Sequence, residues 1–260
     1  MHTNIIHCGN HLDILKQYPD GCFDMCLTSP PYDNLRTYKG YDFQFEPLAH
    51  ELFRVLKAGG VCVWVVNDAT VNGSETLTSF KQAIYFKEEV GFNVHDTMIY
   101  EAKGTGAKGS NLAYWQGFEF MIVLTKGRPK TVNRIADVKN ITQGLLRGGG
   151  RNYKKEKPHK TSQVGVRTNI WEYSVGFMDA SDKTEHPAPF PEKLAEDHIL
   201  SWSNPGDVIL DPMGGSGTVG KMAAKHQREY VLIDVAQEYC DIAKKRIAMF
   251  TQQATIFDKL

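Results

Sequence analysis

Short apolar runs punctuate the chain at residues 4–7, 23–27, 61–66, 97–100, 120–124, 208–211 and 230–234. Most are continuous rather than alternating, which predicts strands covered on both faces in a largely parallel sheet. Between them, apolar positions recur at helical spacing over residues 46–57, 77–90, 191–202, 218–226 and 236–249. The first of these carries Leu48, Leu52, Phe53, Val55 and Leu56 and is followed by Gly59-Gly60, a helix-stop signal. Strands alternating with helices predict a doubly wound α/β sandwich. The glycine-rich run at residues 103–109 predicts a flexible loop. Residues 126–185 show weak periodicity and contain Gly148-Gly149-Gly150, which predicts an insertion made of loops rather than another core layer. No internal repeat at a fixed period is evident.

Composition narrows this picture. A chain of 260 residues suits one α/β domain with an inserted segment. With 42% hydrophobic and 23% charged residues it reads as globular rather than disordered. It has no apolar run long enough to span a membrane, and the first residues lack the layout of a secretory leader, so a cytoplasmic place is expected. Five scattered cysteines (Cys8, Cys22, Cys26, Cys62, Cys240) form neither a disulfide framework nor a metal-ligand pattern, so no metal is expected. Net charge is zero, but its distribution is not even. Twelve Lys or Arg fall between residues 126 and 167 with only Asp137 and Glu156 among them. Such a block suits nucleic-acid phosphates, although a solvated basic loop is the commoner reading of a charge run.

Two motifs carry chemistry. Asp211-Pro212-Met213-Gly214-Gly215-Ser216-Gly217-Thr218 directly follows the apolar run Val208-Ile209-Leu210. Glycines at a strand-to-helix turn let the backbone approach a ligand, and the next helix begins with an electropositive end. Asp234 closes the next strand, nineteen residues after Gly215, where a carboxylate can accept both hydroxyls of a ribose. This pattern points to a nucleoside-containing cofactor and does not choose between NAD and S-adenosyl-L-methionine.

The second motif, Thr28-Ser29-Pro30-Pro31-Tyr32, follows the run 23–27. An exocyclic amino group on a base is a poor nucleophile because its lone pair is delocalised into the ring. Ser29 Oγ and the Pro30 carbonyl can accept its protons and free that lone pair. Pro31 fixes the backbone without adding a donor, and Tyr32 offers a face on which an unstacked base can lie.

With both motifs in this order, the chain resembles the amino-directed DNA methyltransferases, which act on N4 of cytosine or N6 of adenine. Their catalytic signature is Asp, Asn or Ser followed by Pro-Pro and an aromatic. Their cofactor signature, Asp-Pro-Phe-x-Gly-Ser-Gly-Thr, appears here with Met213 for Phe. The catalytic motif comes first, which is the permuted β arrangement of that family. Further family-like pieces are His7-Cys8-Gly9-Asn10, Arg54-Val55-Leu56-Lys57-Ala58-Gly59-Gly60, Phe118-Glu119-Phe120 and His186-Pro187-Ala188-Pro189-Phe190-Pro191. Only about 128–168 lie outside the likeness.

The resemblance implies a permuted Rossmann-like methyltransferase sheet with an inserted target-recognition segment. Residues 1–127 would form its catalytic part, 128–185 a basic DNA-recognition insertion, and 186–260 its cofactor-binding part. It implies Ser29, Pro30, Pro31 and Tyr32 at the reacting base. S-adenosyl-L-methionine would lie against Asn10, Pro189, Phe190, Asp211, Met213, Gly214, Gly215, Ser216, Gly217, Thr218 and Asp234. Double-stranded DNA would meet Arg36, Arg147, Arg151, Lys154 and Lys155. A homodimer and a cognate restriction endonuclease of a restriction-modification pair are further partners it allows. Transfer would be direct, because the Pro-Cys nucleophile of cytosine C5 enzymes does not occur in this sequence. Ser before Pro-Pro favours cytosine N4 over adenine N6. Two rivals explain less. An NAD-dependent oxidoreductase leaves the Ser-Pro-Pro-Tyr loop unexplained, and a non-catalytic DNA-binding protein has no use for the glycine turn.

Overall fold

A computed structural model of the chain describes residues 1–31, 43–103, 114–147, 159–174 and 191–257. Eight strands form the main sheet: β1 (Ile5–Cys8), β2 (Phe23–Thr28), β3 (Leu56–Val66), β4 (Asn93–Lys103), β5 (Phe118–Thr125), β6 (Ile170–Ser174), β7 (Val208–Asp211) and β8 (Glu229–Asp234). Their spatial order is β1-β8-β7-β2-β3-β5-β4-β6. Every neighbouring pair is parallel except those made by β5, which runs against both β3 and β4. This is the α/β sheet that the continuous apolar runs predict.

Those runs are continuous because successive residues feed two different cores. Along β3, Cys62, Trp64 and Val66 enter one cluster with Leu48, Leu52 and Val55 of α2 (Phe45–Val55). Val61, Val63 and Val65 enter the other, with Leu194, Ala195 and Ile199 of α4 (Glu192–Trp202) and Val219, Met222 and Ala223 of α5 (Thr218–Lys225). The remaining α-helices among the described residues are α1 (His11–Leu15), α3 (Thr78–Tyr85) and α6 (Gln237–Phe257).

Three expectations need correction. The helix starting near residue 46 stops at Val55, and Leu56 already has extended backbone (ψ 139°). Gly60 serves close approach rather than helix termination, since a Cβ there would lie 2.9 Å from the Lys57 carbonyl and 3.1 Å from that of Asp24. The helix expected over 77–90 is regular only to Tyr85 and widens into a π-turn over Phe86–Val90, which seats the Phe86 ring in the core. Finally, the segment expected to be all loop, 126–185, contributes one strand to the core sheet. Strand β6 pairs in parallel with β4, with Trp171 and Tyr173 buried and Ile170, Glu172 and Ser174 exposed. Its two-residue alternation is short, which is why it passes for loop. Elsewhere in that segment the described residues include two small antiparallel ladders, Ala136–Lys139 with Val164–Val166 and Leu146–Arg147 with His159–Lys160.

Candidate active site

The chain direction of strand succession reverses between β7 and β2. From β7 the chain proceeds through α5 to β8 on one side, and from β2 through α2 to β3 on the other. Parallel sheets open a crevice beyond the carboxyl ends of their strands at such a point. Both motifs end there. Strands β7 and β2 are direct neighbours, with Ile209 opposite Met25 and Leu210 opposite Cys26. The Thr28 hydroxyl donates to Asp211 Oδ1 at 2.8 Å, a buried bond between residues 183 apart in sequence. Asp211 Oδ1 also accepts the Met213 N–H at 3.1 Å, so one carboxylate fixes the exits of both strands. Burial pushes the Asp211 carboxyl up to about 7, against the lowering effect of its Thr28 and Met213 hydrogen bonds.

Beyond that bond, Ser29 is half-buried, Pro30 buried and Pro31 half-buried. Tyr32 and Arg36 lie outside the described residues, as do Pro189, Phe190, Arg151, Lys154 and Lys155. Arg147 has its backbone in the short ladder with His159.

The glycine turn is built around Asp234 at the end of β8. Asp234 Oδ2 accepts the Gly215 N–H at 2.9 Å and Oδ1 accepts the Ala236 N–H at 2.8 Å. Gly215 has left-handed backbone (φ +48°) and, like Met213, stays half-exposed. Burial raises the Asp234 carboxyl above the ordinary range, although backbone N–H groups of Ala236, Gly215 and Val235 act the other way. The Gly214 N–H donates to the Ile233 carbonyl at 2.8 Å, which lays the turn along β8. Gly217 has φ +82°, and a Cβ there would come within 2.7 Å of the Ala243 Cβ. It is one contact point between the turn and α6. Ser216 and Thr218 are buried, and Arg246 of α6 donates to the Ser216 carbonyl at 2.8 Å and its hydroxyl at 2.9 Å. Asn10 follows β1 beside Asp234 and caps α1, its Oδ1 accepting the Leu12 N–H at 2.8 Å.

Not every basic residue of the 126–167 block faces outward. The Lys126 ammonium donates to the Phe53 carbonyl at 2.6 Å and that of Leu56 at 2.9 Å, closing the end of α2. Arg167 bonds the buried Asp197 carboxylate at 2.7 Å and also pairs with Asp137. These two cations hold structure, and sequence position alone does not separate them from the others. Arg246 and Thr28 are likewise placed by the fold. Arg246 does leave one trace, a charge on the helix face that also carries Cys240, Ala243 and Ile247.

A sequence profile of the family described as DNA methylase matches residues 23–245. This chain belongs to the DNA methylase family. It is 50% identical over 239 residues to the orphan methyltransferase M.BamHII of Bacillus amyloliquefaciens, covering 88% of this chain and 89% of that one. It is 28% identical over 254 residues to the DNA adenine methyltransferase YhdJ of Escherichia coli, covering 94% of this chain and 82% of the relative. Its fold resembles that of the PvuII DNA methyltransferase (cytosine-N4-specific), with a TM-score of 0.71 at 18% identity over 97% of this chain and 91% of the other. As a methylase, the chain spans between 82% and 91% of the length of these relatives.

Proposed function

We propose that this methylase transfers a methyl group from S-adenosyl-L-methionine to the exocyclic amino group of a base flipped out of double-stranded DNA, with N4 of cytosine as the target. The observation that carries the proposal is the Thr28–Asp211 hydrogen bond. It joins the strand leading to Ser29-Pro30-Pro31 to the strand leading to the glycine turn, so that donor and acceptor loops share one crevice.

The residues of the turn suit the cofactor. Asp234 is half-exposed and oriented by backbone N–H donors, among them those of Gly215 and Ala236, which leaves acceptor capacity for ribose hydroxyls on its open side. Gly215 presents backbone without a side chain, and Met213 adds a polarizable apolar surface. Bound S-adenosyl-L-methionine supplies an electrophilic methyl group on its sulfonium. Ser29 Oγ and the Pro30 carbonyl accept hydrogen bonds from the amino group and draw the nitrogen towards a tetrahedral form. When its lone pair takes the methyl group, the electrons of the broken S–C bond leave with S-adenosyl-L-homocysteine and one amino proton passes to solvent. Pro31 holds that carbonyl in place. Acceptors fixed in advance where charge develops act without reorganisation in a site screened from water, and positioning does the rest. Tyr32 stacks on the base, and Arg36, Arg147, Arg151, Lys154 and Lys155 take the DNA phosphates.

Ser29 supports cytosine over adenine, on the motif preference set out above. The adenine specificity in the name of YhdJ makes N6 of adenine the second reading. Incubating the protein with unmethylated genomic DNA and S-adenosyl-L-methionine, then digesting to nucleosides for mass spectrometry, separates them. N4-methylcytosine is expected. N6-methyladenine would overturn the choice of base, and 5-methylcytosine or unmodified DNA would overturn the proposed chemistry.

A further inference from the structure

The glycine turn does not hold its shape by itself. Its outer side faces Asp234, but its inner side rests on α6, whose residues Ala243, Arg246 and Ile247 meet Gly217, Ser216 and Gly220 in turn. Arg246 is the polar member of that face and is buried. One guanidinium nitrogen donates to the Ser216 carbonyl at 2.8 Å, to the Ser216 hydroxyl at 2.9 Å and to the Thr218 hydroxyl at 3.4 Å. The other donates at 2.7 Å to Oε1 of Glu192, the first residue of α4, and the same oxygen takes the Lys221 ammonium of α5 at 2.7 Å.

A buried arginine is costly to desolvate unless its donors are matched, and a planar fork with several fixed acceptors is the arrangement that matches them. The Ser216 peptide lies between two left-handed glycines, Gly215 and Gly217, where the backbone has more freedom than anywhere else in the turn. A donor fixed on a neighbouring helix removes that freedom.

We infer that Arg246 is a positioning residue of the cofactor turn, setting the Ser216 peptide and the start of α5 and locking both to α4 through Glu192. This rests on the reading of the turn as the S-adenosyl-L-methionine site. Arg246 acts through Ser216 and Thr218 and touches no reacting atom, so its loss weakens cofactor binding and leaves the chemical step alone.

Calorimetric titration of the full chain with S-adenosyl-L-methionine, paired with thermal unfolding without ligand, tests this. For Arg246→Ala, Kd for the cofactor is expected to rise about tenfold, the equivalent of about 1.4 kcal/mol. Its kcat at saturating cofactor and its KM for DNA stay within about twofold of the wild type. Arg246→Lys keeps the charge but not the fork, so its Kd should fall between the two. Ile247→Ala removes packing from the same helix face without touching Ser216. It should lower Tm and leave Kd within about twofold.

Wild-type affinity in Arg246→Ala overturns the inference, as does an equal loss of affinity in Ile247→Ala, which would make the effect one of stability alone. If Arg246→Ala does not fold, Arg246→Lys decides, and wild-type affinity there overturns the inference. A wild-type chain that binds no S-adenosyl-L-methionine overturns the reading of the turn itself, and the inference with it.

Discussion

The carboxyl edge of β2, β7 and β8 and the segment from residue 136 to 167 are held in opposite ways. At the sheet edge, Asp211, Asp234 and the glycine turn are fixed by many short contacts from adjacent strands and from α6. The described residues of the 136–167 segment include short ladders, and all four residues of Ala136–Lys139 are exposed. An ionic cluster ties it to the body. There Arg167 bridges Asp137 and the buried Asp197, while Tyr173 at 2.9 Å and the Lys193 ammonium also bond Asp197. A site that must align two reactants needs the first kind of support. The described ladders need no such alignment and are tied to the body through the Asp197 cluster. Damage to one region should therefore leave the other largely intact.

The largest expected effect strikes the anchor. Asp197→Ala strips a buried carboxylate from Arg167, Lys193 and Tyr173, and should cost about 3–5 kcal/mol in urea unfolding. A cost below about 1 kcal/mol would mean that the cluster is no anchor and that the contrast between the regions fails. Ser29→Ala tests the opposite side. It should lower kcat about 100- to 1,000-fold, as loss of one aimed acceptor does, with Kd for S-adenosyl-L-methionine and Tm unchanged. A fall in Tm parallel to kcat would assign Ser29 to the scaffold.

Gly217→Ala sharpens the comparison within the site. The added methyl meets Ala243 at 2.7 Å on backbone with φ +82°. A loss of about 1–3 kcal/mol in stability, with weaker cofactor binding and unchanged affinity for DNA, is the expected result. DNA affinity lost in step would show the two regions to be coupled.

The smallest effect is a pH dependence. Burial lifts the Asp211 carboxyl from 3.8 to about 7, so the folded chain keeps a proton that the unfolded chain releases. The stability from this group is full below pH 3.8 and is lost as pH rises towards 7. Asp211→Asn retains an acceptor for Thr28 and the Met213 N–H and cannot ionise. It should reduce the fall in Tm between about pH 5 and pH 7.5 by a few degrees. The raised Asp234 carboxyl acts in the same direction and leaves part of the slope in place. An unchanged slope would show that Asp211 does not titrate in this range.

Much of the fold was legible along the chain. All seven expected strands are present, because two-sided burial leaves continuous apolar runs that need no partner to be seen. Strand β6 was missed because five alternating residues at a sheet edge resemble loop. The end of α2 was misplaced because Gly59-Gly60 signals a helix stop as readily as a close approach to neighbouring backbone. In the basic block, Lys126 and Arg167 could not be told from cations that face solvent, since their partners Phe53, Leu56 and Asp197 are remote in sequence.

What the sequence determined by itself was local: strands with two buried faces, a glycine turn after one of them, a carboxylate nineteen residues beyond Gly215, and a Ser-Pro-Pro loop after another strand. Each follows from side-chain periodicity or backbone freedom within a few residues. Only the tertiary structure decided that β2 lies beside β7, that Thr28 reaches Asp211, and that Arg246 supports Ser216. Those pairings depend on how the crossovers order the sheet, and no short-range pattern in a chain encodes which distant strand becomes a neighbour.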